Sequence, residues 1–503
     1  MFNRVHALLG LLAVAGASAG ASAAPVEAVY LHMAVAPSPS VWSAAPASVV
    51  GIADPRVLGF GNLTRTSDGQ KWVTLLATNV TPNTQDQILF VGSGPGTGMN
   101  LGQEAVTKIS VSPDPDEFLN FGASVTIPPR VNAAGQWAVG YRLAVTGATN
   151  IDDRLAVWNG TSFVVTKPGD AIPALPGSVY NGSFGSAFIT DSGQATFLAL
   201  ISPNTSASSD CAFTANGATQ QVEIGVSTPS GQGTMTAVPW NDIDANFFQT
   251  DGAGTSWIAL GEVGTTTATD KVAVVNGVVK AQEGFAVPGV PGVVTAISSV
   301  RMEANGDWFV RGTSTGSIAW WMRNGVIIAM TGQPITPSST ELWGGTLREA
   351  RGDNSGNYIV SGTTNNADTL INDVVVYNGS KVLVRKSDPL VVDVNGDMVN
   401  ETFYLHTLQD RCVLLNDDYF YMTNQLKATA TDTGTLNGNN NHNLVRIRVC
   451  RADFNADAVV SIDDLFLYFN AYFTGAQRAD MNGVGGVTID DLFLYINFYF
   501  TGC

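Results

Sequence analysis

From about residue 48 to residue 449 the chain is written in short apolar runs, β-branched and aromatic, divided by turns rich in Gly, Asn, Asp and Pro. Such runs predict strands, and their spacing predicts many small hairpins. A turn bearing Gly or Asn precedes an aromatic that opens a strand at Trp72, Trp137, Phe197, Trp257, Trp308, Tyr358 and Tyr419. A second strand then runs into an Asn-Gly pair: LAVWNG ending at Gly160, VAVVNG at Gly277, WWMRNG at Gly325 and VVVYNG at Gly379. CAFTANG, from Cys211 to Gly217, is a looser copy. Asn-Gly suits a two-residue hairpin whose central residues need φ > 0. A further strand follows the turn at 162–166, 278–280, 326–329 and 382–385. Seven such units, about fifty to sixty-five residues apart, predict a mainly β fold built as a seven-bladed β-propeller, with a pair of β-sandwiches as the alternative. The last unit lacks a closing strand after 446–449, and the apolar segment 26–35 is placed to supply it.

The pattern changes at Cys450. ADFNADAVVSIDDLFLYFNAYFTG (452–475) recurs as ADMNGVGGVTIDDLFLYINFYFTG (479–502), each copy a polar loop followed by an apolar helix. In the first loop Asp453, Asn455, Asp457, Ser461 and Asp464 stand at positions 1, 3, 5, 9 and 12, and the Val459 carbonyl falls at position 7. That is the ligand spacing of an EF-hand calcium loop, in which a hard cation takes six to eight oxygens. Ala458 replaces the usual turn glycine, and Asp464 is a shorter arm than the usual Glu. The second loop offers Asp480, Asn482, Thr488 and Asp491 at positions 1, 3, 9 and 12; Val484 at position 5 has no side-chain oxygen, which predicts a weaker site. Ser461-x-x-Asp464 and Thr488-x-x-Asp491 also read as helix N-caps, but capping alone needs no Asp453, Asn455 or Asp457.

These tandem loop-plus-helix units, with Asp at position 12 and no helix before the loop, resemble type I dockerin repeats. The DLFLYxNxYFTG helices and the terminal Gly-Cys resemble repeats at the C-termini of secreted planctomycete proteins. The resemblance covers about a tenth of the chain. It implies a small α-helical module that folds on Ca2+ and docks to a cohesin-like partner or a surface scaffold. The repeats before it are similar to those of uncharacterised exported bacterial proteins, a resemblance that brings no activity.

Only 13% of residues are charged, and Lys+Arg 25 against Asp+Glu 42 leaves a net charge of −17. That balance argues against nucleic acid or an anionic membrane as a partner. Residues 1–23 read as a signal peptide: Arg4, an apolar stretch from Ala7 to Ala15, and a small-residue cleavage site at Ala21-Ser-Ala23. No later run has the ~18 apolar residues of a membrane span. The expected divisions are thus 1–23, a β domain over 24–449 and a calcium module over 450–503, in a secreted or cell-surface protein. The four cysteines are then expected in disulfides. Cys450 and Cys503 bracket the calcium module, and their bond would stabilise it by about 4 kcal/mol. Cys211 and Cys412 would form the other bridge.

No catalytic motif stands out. His32, His406 and His442 lack any ligand spacing, and there is no GxSxG elbow. Glu303 and Glu349 are candidates for the carboxylate pair of a glycoside hydrolase, although sequence cannot pair them. Arg351-Gly-Asp353 matches an integrin tripeptide by chance. Tryptophans such as Trp320 and Trp321 could line a sugar-binding face, but a packed core explains them better. The expectation is an exported calcium-binding protein whose β domain presents a binding surface, for a polysaccharide among other ligands, and whose C-terminal module docks. The alternative is a secreted, dockerin-bearing polysaccharide-degrading enzyme.

Overall fold

The computed structural model describes residues 26–31, 34–37, 57–65, 71–78, 87–93, 104–106, 117–120, 130–145, 151–203, 210–233, 236–353, 356–414, 419–436, 442–449, 451–454, 460–476, 479, 481 and 487–501. The signal-peptide reading therefore falls outside the described residues, as do Cys450 and Cys503 and the pairing expected of them.

Strand is the dominant structure, arranged in small sheets. A first strand, β1 (Val26–Tyr30), precedes six four-stranded antiparallel sheets in chain order. They are β2 (Val57–Arg65), β3 (Lys71–Thr78), β4 (Gln87–Ser93) and β5 (Glu104–Val106); β6 (Glu117–Asn120), β7 (Trp137–Val145), β8 (Ile151–Trp158) and β9 (Phe163–Thr166); and β10 (Val179–Ile189), β11 (Ala195–Ser202), β12 (Asp210–Thr214) and β13 (Thr219–Glu223). Next come β14 (Trp240–Thr250), β15 (Trp257–Val263), β16 (Lys271–Val275) and β17 (Val278–Gln282); β18 (Val294–Met302), β19 (Trp308–Ser314), β20 (Ile318–Arg323) and β21 (Val326–Met330); and β22 (Trp343–Gly352), β23 (Tyr358–Thr364), β24 (Asp373–Tyr377) and β25 (Lys381–Arg385). A last sheet closes into a barrel of β1, β26 (Pro389–Val392), β27 (Glu401–Leu414), β28 (Tyr419–Lys427) and β29 (Asn443–Arg448), with β1 also parallel to β26. Two helices follow, α1 (Ile462–Phe473) and α2 (Ile489–Thr501).

The aromatic marks fall in the second strand of each of the six sheets and in β28 of the last. Most open their strand; Phe197 is the third residue of β11. The Asn-Gly turns join second-to-last and last strands as the spacing requires. Asn276, Asn324 and Asn378 have φ of 49°, 49° and 48°, and each is followed by a positive-φ glycine. Each asparagine has a second task. Its Oδ1 accepts the N–H of the aromatic that opens the neighbouring strand, Trp257, Trp308 or Tyr358, at 2.7–2.9 Å. Asn216, in the looser copy, accepts from Ala195 N.

The sheets follow one another through a repeated junction. A left-handed residue donates its N–H to the first strand of the next sheet, Gly169 to Tyr180, Gly225 to Trp240, Gly284 to Val294 and Gly332 to Trp343, and Ser387 donates likewise to Leu405 in β27 of the last sheet. β27 of the last sheet lies against β22 and also against β2 of the first. β1 pairs antiparallel with β29, so the segment expected to complete the last unit does so. From β6 onward, neighbouring sheets bury faces on one another. One core cluster, for example, joins Phe309, Trp321 and Ala329 of one sheet to Leu347, Val360 and Val374 of the next. Trp320 and Trp321 are wholly buried, which makes them core rather than a sugar platform. Among the described residues no helix is long and apolar enough to cross a membrane.

The first strand of most of the sheets breaks the local pattern, although β6 pairs with β7 in unbroken register. β10, β14, β18 and β22 all carry register shifts against their partners. A bulge breaks the alternation of faces that makes a strand visible in sequence. Around these bulges backbones approach closely: a Cβ on Gly261 would lie 2.2 Å from Asp242 O.

Candidate metal centre

The helices begin where the paired loops end. Ser461 caps α1: its Oγ accepts from Asp463 N, while its own N–H and hydroxyl donate to Asp464 Oδ2 at 2.8 and 3.2 Å. Thr488 N and Oγ1 donate in the same way to Asp491 Oδ2, at 2.7 and 2.8 Å. The carboxylates at position 12 of each loop are therefore caps, and both are fully buried. Anionic groups at a helix N-terminus are favoured by its dipole.

Capping does not explain Asp453. It opens the first loop, is buried, and receives Lys381 Nζ at 3.1 Å from β25. Burial pushes the Tyr495 phenol above its ordinary value, and the charges of Asp464 and Asp453 add to that rise. One phenol in α2 thus feels both the first and the twelfth position of the first loop. Asp453 and Asp464 are both buried, and buried carboxylates suit a hard cation, because oxygen anions removed from water need positive charge nearby. Asn455, Asp457, Val459, Asp480 and Asn482 lie outside the described residues. Among the described residues no group of three or more His, Cys, Asp or Glu side chains forms a metal cluster. The part of the ligand set that is described is Asp453, Ser461 and Asp464 in one loop, and Thr488 and Asp491 in the other.

The two helices share an aromatic core. Tyr468 of α1 and Tyr495 of α2 stack with centroids 3.8 Å apart and planes 6° from parallel. Phe454 meets both edge-on. The outward faces of the helices are also apolar. Ile462, Phe466 and Phe473 are exposed on α1, and Ile489, Phe493 and Phe500 repeat them on α2. The four phenylalanines are 63–80% exposed. Spacings of four and seven place each trio on one helical face.

The β domain holds a second polar group. Arg130 donates to Thr250 O at 2.7 Å and to Met302 O at 2.8 Å, the last residues of β14 and β18, and its guanidinium lies over Phe188 of β10. Glu349 pairs with Arg301, and Arg351 reaches both Glu303 and Glu349, at 3.7 and 3.9 Å. The two glutamates singled out from sequence do meet, but around an arginine. Their charges are neutralised locally, as in structural ion pairs. Arg351-Gly-Asp353 is largely buried, and Asp353 accepts from Asn357 N and Nδ2 within a hairpin turn. Asp251 caps the equivalent turn by accepting from Thr255. Half-buried His406 bonds Thr433 O and Thr407 Oγ1. Cys211 lies in β12, where its sulfur accepts from Gln220 at 3.5 Å, and Cys412 lies in β27 of another sheet.

No protein-family model matches the chain, and no curated protein matches it. Among solved structures it is similar to a eukaryotic initiation factor, at 10% identity and TM-score 0.34, over 80% of this chain and 92% of that one. It is similar to Trypanosoma rangeli sialidase in complex with sialic acid, at 10% identity and TM-score 0.31, over 87% and 59%. It is also similar to the calcium-binding protein regucalcin from Agrobacterium tumefaciens, at 15% identity and TM-score 0.24, over 61% and 82%. At these identities and TM-scores such likenesses carry no argument about what this chain binds or does.

Proposed function

We propose that this is an exported, calcium-binding docking protein, secreted or held at the cell surface. Its β domain is a seven-bladed propeller closed by β1 and presenting a ligand face. Its C-terminal dockerin-like module binds Ca2+ and docks the whole to a cohesin-like or surface scaffold protein. The observation that carries this reading is the duplicated module itself. Buried Asp453, Asp464 and Asp491 stand at the loop ends, and the same three apolar side chains stand exposed on each helix. A small domain that leaves four phenylalanines in water has an apolar face suited to a partner. The ring reading is supported by the repeated sheet junctions and by the contact of β27 with β2.

In this reading Asp453, Asn455, Asp457, the Val459 carbonyl, Ser461 and Asp464 hold the first cation. Asp480, Asn482, Thr488 and Asp491 hold the second, more weakly. The cation supplies positive charge that lets the carboxylates share one loop. The glycoside hydrolase alternative is not favoured, since Glu303 and Glu349 are both engaged by arginine.

Calorimetry of the full chain with CaCl2 tests the metal: heat is expected at dissociation constants of about 0.1–1 mM or tighter, and no heat refutes the reading. A purified cohesin module tests docking. Binding should require calcium and should be lost in a Phe466→Asp/Phe493→Asp variant that still binds calcium; binding indifferent to both would defeat the docking assignment.

A further inference from the structure

We infer that the two halves of the calcium module are coupled through Tyr468 and Tyr495, so that filling one loop tightens the other. The inference rests on the calcium reading above. The repeats match at a separation of twenty-seven residues, which makes Ala452 equivalent to Ala479, Asp464 to Asp491 and Tyr468 to Tyr495.

The tyrosines cross over. Tyr468 OH, from α1, donates to Ala479 O at 3.3 Å, and Ala479 directly precedes the first ligand position of the second loop. Tyr495 OH, from α2, donates to Ala452 O at 3.1 Å, and Ala452 directly precedes Asp453. Arg451 adds a tie of the same kind, donating through Nη1 to Met481 O in the second repeat. Both rings are wholly buried and stacked face to face, so neither shifts without the other.

The path from one loop to the other is short. Asp464 caps the first turn of α1, and Tyr468 lies one turn further on the same face. A cation that fixes Asp464 fixes the rotation of α1 and hence the Tyr468 hydroxyl. That hydroxyl holds the backbone where the second loop begins. The reverse path runs from Asp491 through Tyr495 to Ala452 and Asp453. Each loop thus has its twelfth position on its own helix and its entry held by the opposite one. Ordering the first helix removes freedom that the second loop must otherwise lose on binding, which is positive coupling.

Calorimetry and tyrosine near-ultraviolet circular dichroism of the full chain, titrated with CaCl2, test this. The wild type should bind cooperatively, and Asp480→Ala should weaken the remaining first site as well as abolish the second. Within the Asp480→Ala background, Tyr495→Phe should weaken the first site about tenfold, although Tyr495 belongs to the other repeat. Tyr499→Phe, one turn along the same helix, should leave it within twofold. Two independent isotherms in the wild type overturn the coupling, as does a Tyr495→Phe effect no larger than that of Tyr499→Phe; calcium binding stands in either case. Absence of calcium heat in the wild type overturns the calcium reading and the coupling together. If Tyr495→Phe unfolds the module, the wild-type and Asp480→Ala isotherms still decide.

Discussion

Lys381→Met should make the first loop bind calcium more tightly, although it removes a side chain that belongs to the β domain. Lys381 Nζ lies 3.1 Å from Asp453 Oδ2, with the lysine side chain 15% exposed and that of Asp453 1%. A cation entering the loop must share or displace this contact. Two unit charges about 4 Å apart attract by about 4 kcal/mol at an effective dielectric of about 20, and by about 1 kcal/mol in water. With Asp453 buried and Lys381 slightly exposed, the pair falls between, at about 2 kcal/mol. Removing the lysine raises the energy of metal-free Asp453 and also removes a like charge from the bound state. Both changes push the same way, so the dissociation constant of the first site should fall by roughly thirtyfold. The assay is calorimetry of full-length wild type and variant at low and at high salt, and the gap should narrow as salt screens the contact. An unchanged or weaker first site in Lys381→Met would refute the argument, because Asp453 would then not be the carboxylate that calcium claims.

Other outcomes follow from the same contacts. Asp453→Ala should weaken calcium binding more than Asp480→Ala, and chelator should abolish the helical dichroism of residues 450–503 while leaving most of the β signal; a chelator-resistant helical signal refutes this. Arg130→Met removes two charge-assisted hydrogen bonds joining β14 to β18 and should destabilise the β domain by about 3 kcal/mol, read as a lower urea midpoint; a change under about 1 kcal/mol would show that the guanidinium is dispensable. Gly261→Ala places a Cβ 2.2 Å from Asp242 O and should cost about 1–3 kcal/mol, so an unshifted melting temperature contradicts the close approach. Asn324→Ala loses the acceptor for Trp308 N and puts a side chain that disfavours it at φ 49°; a loss of about 1–2 kcal/mol is expected, against little change for Asn324→Gly if backbone strain dominates.

Much of the fold was legible because its rules are local. An Asn-Gly pair after a β-branched run specifies a hairpin by backbone conformation alone, and every such turn with both residues at positive φ proved to tie its asparagine to the adjoining strand. The missing partner of β29 was legible too, since an unpaired strand near the N-terminus had few other places to pair. Spacing likewise exposed Asp464 and Asp491 at the helix starts, because cap and ligand positions are counted along one chain. The bulged first strands were not legible, because a bulge interrupts the two-residue period on which strand recognition depends. Arg130, Lys381 and the tyrosine pair were hidden for another reason. Arg130 meets carbonyls 120 and 172 residues away, and Lys381 meets a carboxylate 72 residues on. Such contacts leave no spacing to read. Residue order determined where the turns, caps and oxygen donors lie; only the packing of sheet against sheet and helix against helix decided which charges and hydroxyls meet, since long-range electrostatics and side-chain stacking depend on distances in space.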